Sequence, residues 1–156
     1  MYNKKFMEEA IALSRLCLET GQGGPFGAIV VKDGKVVGRG HNMVTALHDP
    51  TAHAEVMAIR DACKNLNTFQ LEGCEIYTSC EPCPMCLGAI YWARPSKFYF
   101  AANKHDAANA GFDDSFIYKE LEIPYRNRKI PAEQYEQSEA NRVFQEWISF
   151  EKKIKY

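Results

Sequence analysis

The chain has 156 residues and a mass of 17.7 kDa, a length that fits one domain burying roughly 68–70% of its unfolded surface. Hydrophobic residues make up 46% and charged residues 25%, which excludes a disordered chain. The net charge of −1 argues against a surface built for a polyanion, and the longest apolar run, Cys86 to Ala93, is far short of the ~18 residues of a membrane span. Glu8 and Glu9 interrupt any apolar signal-peptide core behind Lys4 and Lys5, so a cytoplasmic location is expected.

Asn3 to Thr20 places Phe6, Ala10, Leu13 and Cys17 at helical spacing, with Met7, Ile11 and Leu16 widening the stripe. That pattern predicts one amphipathic helix. Gly21, Gly23, Gly24 and Pro25 end it, since glycine tolerates a left-handed cap and proline cannot continue a helix. Phe26 to Lys32 and Lys35 to Gly40 read as strands around a hairpin turn at Asp33-Gly34. Asn42 to Asp49 reads as a polar loop, and Pro50-Thr51 opens a helix running to about Asn65. Glu75 to Thr78 reads as a strand, a loop holds three cysteines, Pro84 to Trp92 reads as a short helix, and Lys97 to Ala101 alternates like a strand. Beyond Asn103 the pattern weakens, with helices expected near Asp113 to Glu120 and Glu139 to Phe150. This order predicts a three-layer α/β domain around a mixed sheet, its later strands joined by right-handed parallel crossovers.

Six cysteines without a secretion signal read as thiols or ligands rather than disulfides. Cys17, Cys63 and Cys74 stand among apolar neighbours and read as small buried hydrophobes. Two fragments stand out instead. Thr51-Ala52-His53-Ala54-Glu55 begins one helix, and Cys80-Glu81-Pro82-Cys83-Pro84-Met85-Cys86 links a strand to another. Pro-Cys-x-x-Cys arises by accident in roughly 1% of chains of this composition. His-x-Glu is weak alone; in order, each at a helix start, the two form a strong signal.

The physical reading is one zinc ion per chain. Pro84 suits the first helical position, where an N–H would be unpaired anyway. Cys83 and Cys86, three apart, share a face and can grip one ion with a neutral nitrogen from His53. Three protein ligands leave the fourth tetrahedral position for water, the arrangement of a catalytic site. Glu55, two residues after His53, is a proton carrier at a helix end rather than a fourth ligand. Two other readings of the cysteines remain open: a structural zinc with Cys80 as fourth ligand, and a dithiol redox pair at Cys83 and Cys86.

His53-Ala54-Glu55 followed by Pro82-Cys83-Pro84-Met85-Cys86 matches the H-x-E…P-C-x-x-C signature of zinc deaminases of bases. From about Phe6 to Ala102 the chain resembles the cytidine-deaminase-like superfamily, and within it most closely the bacterial guanine deaminases. Gly24 to Ala28, Asp49 to Val56, Tyr77 to Arg94 and Ala110 to Tyr118 carry that resemblance. It implies a three-layer α/β/α domain with a central mixed five-stranded sheet. It also implies hydrolysis of guanine's 2-amino group to xanthine and ammonia by zinc-bound hydroxide, with Glu55 shuttling the proton. Asp114 matches a family position that assists the leaving amine; the alternative is an exposed cap. Asn42 matches one that bonds the purine's polar edge; the alternative is a turn residue. The N–H groups of Ala54 and Cys83 at helix starts are natural donors to a ligand oxygen, while Phe26 is either a stacking ring or core. Residues from about 130 to 156 are expected to exchange within a homodimer, with Tyr156 closing the site.

Two alternatives stay in view. One is a deaminase of another base or nucleoside, such as cytosine, guanosine or adenosine in transfer RNA; Arg126-Asn127-Arg128-Lys129 is too small a basic cluster to favour an RNA partner. The other is a non-catalytic zinc-binding module, which requires four protein ligands.

Overall fold

Asn3 starts the first helix by accepting the Lys5 N–H on its side-chain oxygen at 3.0 Å. The computed structural model describes residues 1–156. The single helix expected over residues 3–20 is two, α1 (Lys4–Ser14) and α2 (Leu16–Thr20). The break has a local cause: the Ser14 hydroxyl bonds back to the Ile11 carbonyl at 2.7 Å, and Arg15 closes a tight turn onto Ala12.

β1 (Gly27–Lys32) and β2 (Lys35–His41) form the expected hairpin, with Asp33 and Gly34 both at positive φ. The loop after β2 contains a one-turn helix, α3 (Val44–Leu47). α4 (Ala54–Leu66) begins later than the expected start at Pro50-Thr51, because Asp49 holds Thr51 and Ala52 in a turn and His53 stays extended as the cap, while β3 (Cys74–Cys80), α5 (Pro84–Ala93) and β4 (Lys97–Ala102) follow where the spacing places them. The sheet order is β2-β1-β3-β4; β1 is antiparallel to both neighbours, and β3 and β4 are parallel across the α5 crossover. Alternation along β1 sorts the core into two faces. Ala28 and Val30 join Ala54, Ala58 and Ala62 of α4 and Ile90 of α5, whereas Ile29 and Val31 join Met7 and Ala10 of α1.

The sheet has four strands, not five. After β4 the chain is captured by a helix start rather than extended: Asn103 accepts the His105 and Asp106 N–H groups, and Asp106 accepts that of Asn103. This capping box opens α6 (Lys104–Asn109), a helix the weak periodicity of the region did not announce.

The chain divides into two compact units, Met1–Asp114 and Ser115–Tyr156. The first holds the sheet and α1 to α6. The second comprises α7 (Ser115–Glu122), a 3-10 turn at Tyr125–Asn127 and α8 (Gln137–Ser149). Within it the Arg128 guanidinium lies 4.1 Å from the Tyr125 ring centre and donates to the Leu121 and Ile123 carbonyls, so this residue of the basic cluster is engaged locally. No residue of this unit is buried. No helix is long and apolar enough to cross a membrane.

Gly40 sets how closely α4 rides on β2. A Cβ there would collide with the Ala54 carbonyl, the Ala58 nitrogen and Met57, all on the first turns of α4. Gly40→Ala should therefore destabilise the fold by about 1–3 kcal/mol, read as a lower urea midpoint at unchanged slope.

Candidate metal centre

Local chemistry fixes both helix starts that frame the site. His53 is the N-cap of α4, in extended backbone, and its carbonyl accepts the first helical bond from Met57 at 2.9 Å. Cys83 is the N-cap of α5, with Pro84 behind it, and its sulfur accepts the Cys86 N–H at 3.5 Å. The two cysteines thus stand at the cap and third positions, both at the helix end rather than along its flank.

His53 Nδ1 lies 3.6 Å from Cys83 Sγ and 3.5 Å from Cys86 Sγ. Zinc bonds of ~2.3 Å to sulfur and ~2.05 Å to nitrogen at tetrahedral angles require sulfur–nitrogen separations of about 3.6 Å. The donor set therefore fits zinc in spacing and in kind. Of the two sulfurs, that of Cys83 is electrostatically favoured as a thiolate. The hydrogen bond from Cys86, then His53, holds the Cys83 thiol down to about 4 although burial opposes it. Cys86 is pushed the other way, by Cys83 and by burial. His53 is raised, chiefly by its hydrogen bond with Cys83.

Glu55 is 6% exposed, and its Oε2 accepts from the Cys86 thiol at 3.3 Å. Burial raises its pKa, while its own N–H and the Cys86 thiol pull it back down. Its carboxylate stands beside the three donors rather than among them. Cys80 also lies apart from them. Its thiol points to the Asn103 carbonyl at 3.8 Å and is pushed up to about 11, first by burial and then by Glu55. Cys74 is buried as expected, whereas Cys17 and Cys63 are only half-buried.

Asn42 is buried, and its side-chain oxygen accepts the N–H groups of Gly24 and Val44, both at 3.2 Å. With that oxygen engaged twice, its amide N–H groups are what it can offer a ligand. Ala54 is fully buried, and its N–H, at the first helical position, has no intrahelical acceptor. Phe26 packs against the α4–α5 core and meets Phe112 edge to face. Asp114 is half-buried; burial raises its carboxyl first, then the charges of Cys83, Asp113 and Glu81. Tyr156 is exposed at the end of the second unit. Phe112 and Gly24 were not singled out from sequence as site residues, although an aromatic directly after Gly111 is the signal that marks the first of them.

A mixed sheet flanked by helices, presenting two thiols, an imidazole and a buried carboxyl at two helix starts, defines a zinc-dependent hydrolase of the deaminase type. Residues 1–102 match the family model of the cytidine and deoxycytidylate deaminase zinc-binding region, and the chain belongs to that family. Guanine deaminase from Bacillus subtilis (strain 168) is 54% identical over 156 residues, 100% of both chains. A solved structure of guanine deaminase from Bacillus subtilis superposes with a TM-score of 0.96, covering 100% of this chain and 99% of that one. The tRNA-specific adenosine deaminase of Aquifex aeolicus (strain VF5) is 38% identical over 150 residues, 95% of each chain. A solved guanine deaminase from Nitrosomonas europaea gives a TM-score of 0.68 at 33% identity, covering 72% of this chain and 65% of that one.

Proposed function

We propose that this chain is a guanine deaminase, hydrolysing the 2-amino group of guanine to give xanthine and ammonia. The full-length likeness to a guanine deaminase carries this reading, because it extends beyond residue 102, where the zinc-binding family model stops. His53, Cys83 and Cys86 would hold the zinc ion, which when bound supplies the Lewis acidity that lets water lose a proton near neutral pH.

The chain's own residues do the rest. Glu55 takes a proton from the attacking water and returns it to the ring nitrogen beside the reacting carbon. Burial suits the role, since it raises the carboxyl pKa and so makes Glu55 a stronger acceptor for that proton. Asp114 passes to the departing amine the proton that the newly added hydroxyl loses as the C–N bond breaks and the carbonyl forms. The Ala54 N–H faces developing negative charge, Asn42 donates to acceptors on the purine edge, and Phe26 walls the base. Residues 1–156 act as one deaminase in a cytoplasmic homodimer, the segment from about 130 to 156 is exchanged between subunits, and Tyr156 closes the site. The exposed apolar side of α8, with Val143, Phe144, Trp147 and Ile148, supports an interface of that kind.

The test is a panel of guanine, guanosine, cytosine, adenine and a transfer-RNA anticodon stem-loop, followed by ammonia release. Guanine should react at least about 100-fold faster than the others, as a site built on paired polar contacts permits. Faster release from the RNA would move the assignment to the adenosine deaminases, which the relative at 38% identity makes the second reading. Light scattering of the same preparation should report two chains.

A further inference from the structure

Phe112, two residues before Asp114, has no part in the chemistry above, yet several features converge on holding it. α6 ends in a left-handed residue, Gly111 at φ 93°, and the Phe112 N–H reaches back to the Ala107 carbonyl at 2.9 Å. That closure turns a chain sharply off a helix end. It lays the Phe112 ring edge-on against Phe26, with centroids 5.0 Å apart and planes at 87°. Gly24 forms the floor beneath both rings, where a Cβ would meet atoms of each at 3.1 Å. Phe26 is itself fixed by the core, and its carbonyl accepts the Asn42 N–H at 3.1 Å. Both rings also border a cavity of about 340 Å³ lined by Ile11, Ser79, Ala101 and Ala107, so the Phe26 edge and the Gly24 floor do much of the holding.

We propose that Phe112 is a positioning residue for Asp114: seated on Phe26 and Gly24, it fixes the turn after α6 and with it the backbone that carries Asp114 two residues on. This inference rests on the guanine deaminase reading and on the proton-carrying role given there to Asp114.

The test is a double-mutant cycle on the zinc-loaded enzyme, with kcat and KM for guanine measured for Phe112→Leu, Phe112→Tyr, Asp114→Asn and the Leu/Asn double variant. A small misplacement of a reacting group lowers rate by up to about 100-fold. Phe112→Leu should accordingly lower kcat about 10- to 100-fold with KM changed less than about threefold. Phe112→Tyr, which keeps the ring edge, should stay within about twofold. In the Asp114→Asn background, Phe112→Leu should cost less than about twofold more. Phe112→Ile, which also removes the ring edge, should reproduce the Leu signature, and it serves as the second variant if Phe112→Leu loses zinc or melts early. Additive losses in the cycle, a rise in KM at constant kcat, or a tyrosine variant as poor as leucine would each overturn the proposal. Asp114→Asn at wild-type turnover would remove Asp114's role and this proposal with it. Absence of ammonia from guanine in the wild-type enzyme would instead sink the functional reading.

Discussion

Glu55→Gln should retain one zinc per chain and the wild-type fold while lowering guanine turnover about 10²- to 10⁴-fold, the range that a positioned acid–base group supplies. Glutamine keeps the shape and the contact with Cys86 but can neither take nor return a proton. Retention of zinc follows from geometry, because the three donors meet one another without Glu55. Stability gives a second readout. Burial raises the folded-state pKa of Glu55 above its ordinary value of 4.5. The unfolded chain therefore ionises first as pH rises, and the carboxyl works against the fold from about pH 4.5 upward until it ionises in the folded protein too. In the metal-free protein the glutamine variant should be the more stable at pH 7, and its advantage should shrink toward zero near pH 4. Zinc-loaded Glu55→Gln that turns over guanine at the wild-type rate would end the shuttle assignment.

Cys86→Ser should strip the centre. The substitution leaves two good donors, and a serine hydroxyl does not ionise at neutral pH to replace a thiolate. Zinc content, measured on the dialysed protein, should fall well below one per chain, and turnover should drop by at least about 10³-fold. The melting temperature should fall as well, because metal bound only by the folded state adds its binding free energy to stability. Cys80→Ser is the contrast. A hydroxyl there can still donate to the Asn103 carbonyl that the thiol faces, so zinc and turnover should persist. If Cys80→Ser also emptied the centre, four protein ligands would be present and the non-catalytic zinc module would return.

The metal centre was legible in the sequence because its chemistry is local in the chain. Cys83 and Cys86 are joined by one helical turn, and His53 and Glu55 belong to one helix start, so residue type, spacing and a single proline carried the geometry. The hairpin was equally legible, since Asp33-Gly34 names its own turn. The four-stranded edge was not. What ends the sheet is the capping of α6 by Asn103 and Asp106, a few hydrogen bonds with no periodic signature. The break at Arg15 was hidden for the same reason: Phe6, Ala10, Leu13 and Cys17 keep their stripe across it. The seating of Phe112 escaped because it joins residues 24, 26 and 112, which only the fold brings together.

The imidazole of His53 and the sulfur of Cys86 meet across 33 positions of sequence. An ion shared between them is thus a staple as well as a reagent. A permanent link across such a span would restrict the unfolded chain by about 4 kcal/mol on loop-entropy grounds. Losing the metal would therefore undo catalysis and loosen the join between the two helix ends at once, giving the inactive apoprotein an intrinsic tendency to be cleared by proteolysis.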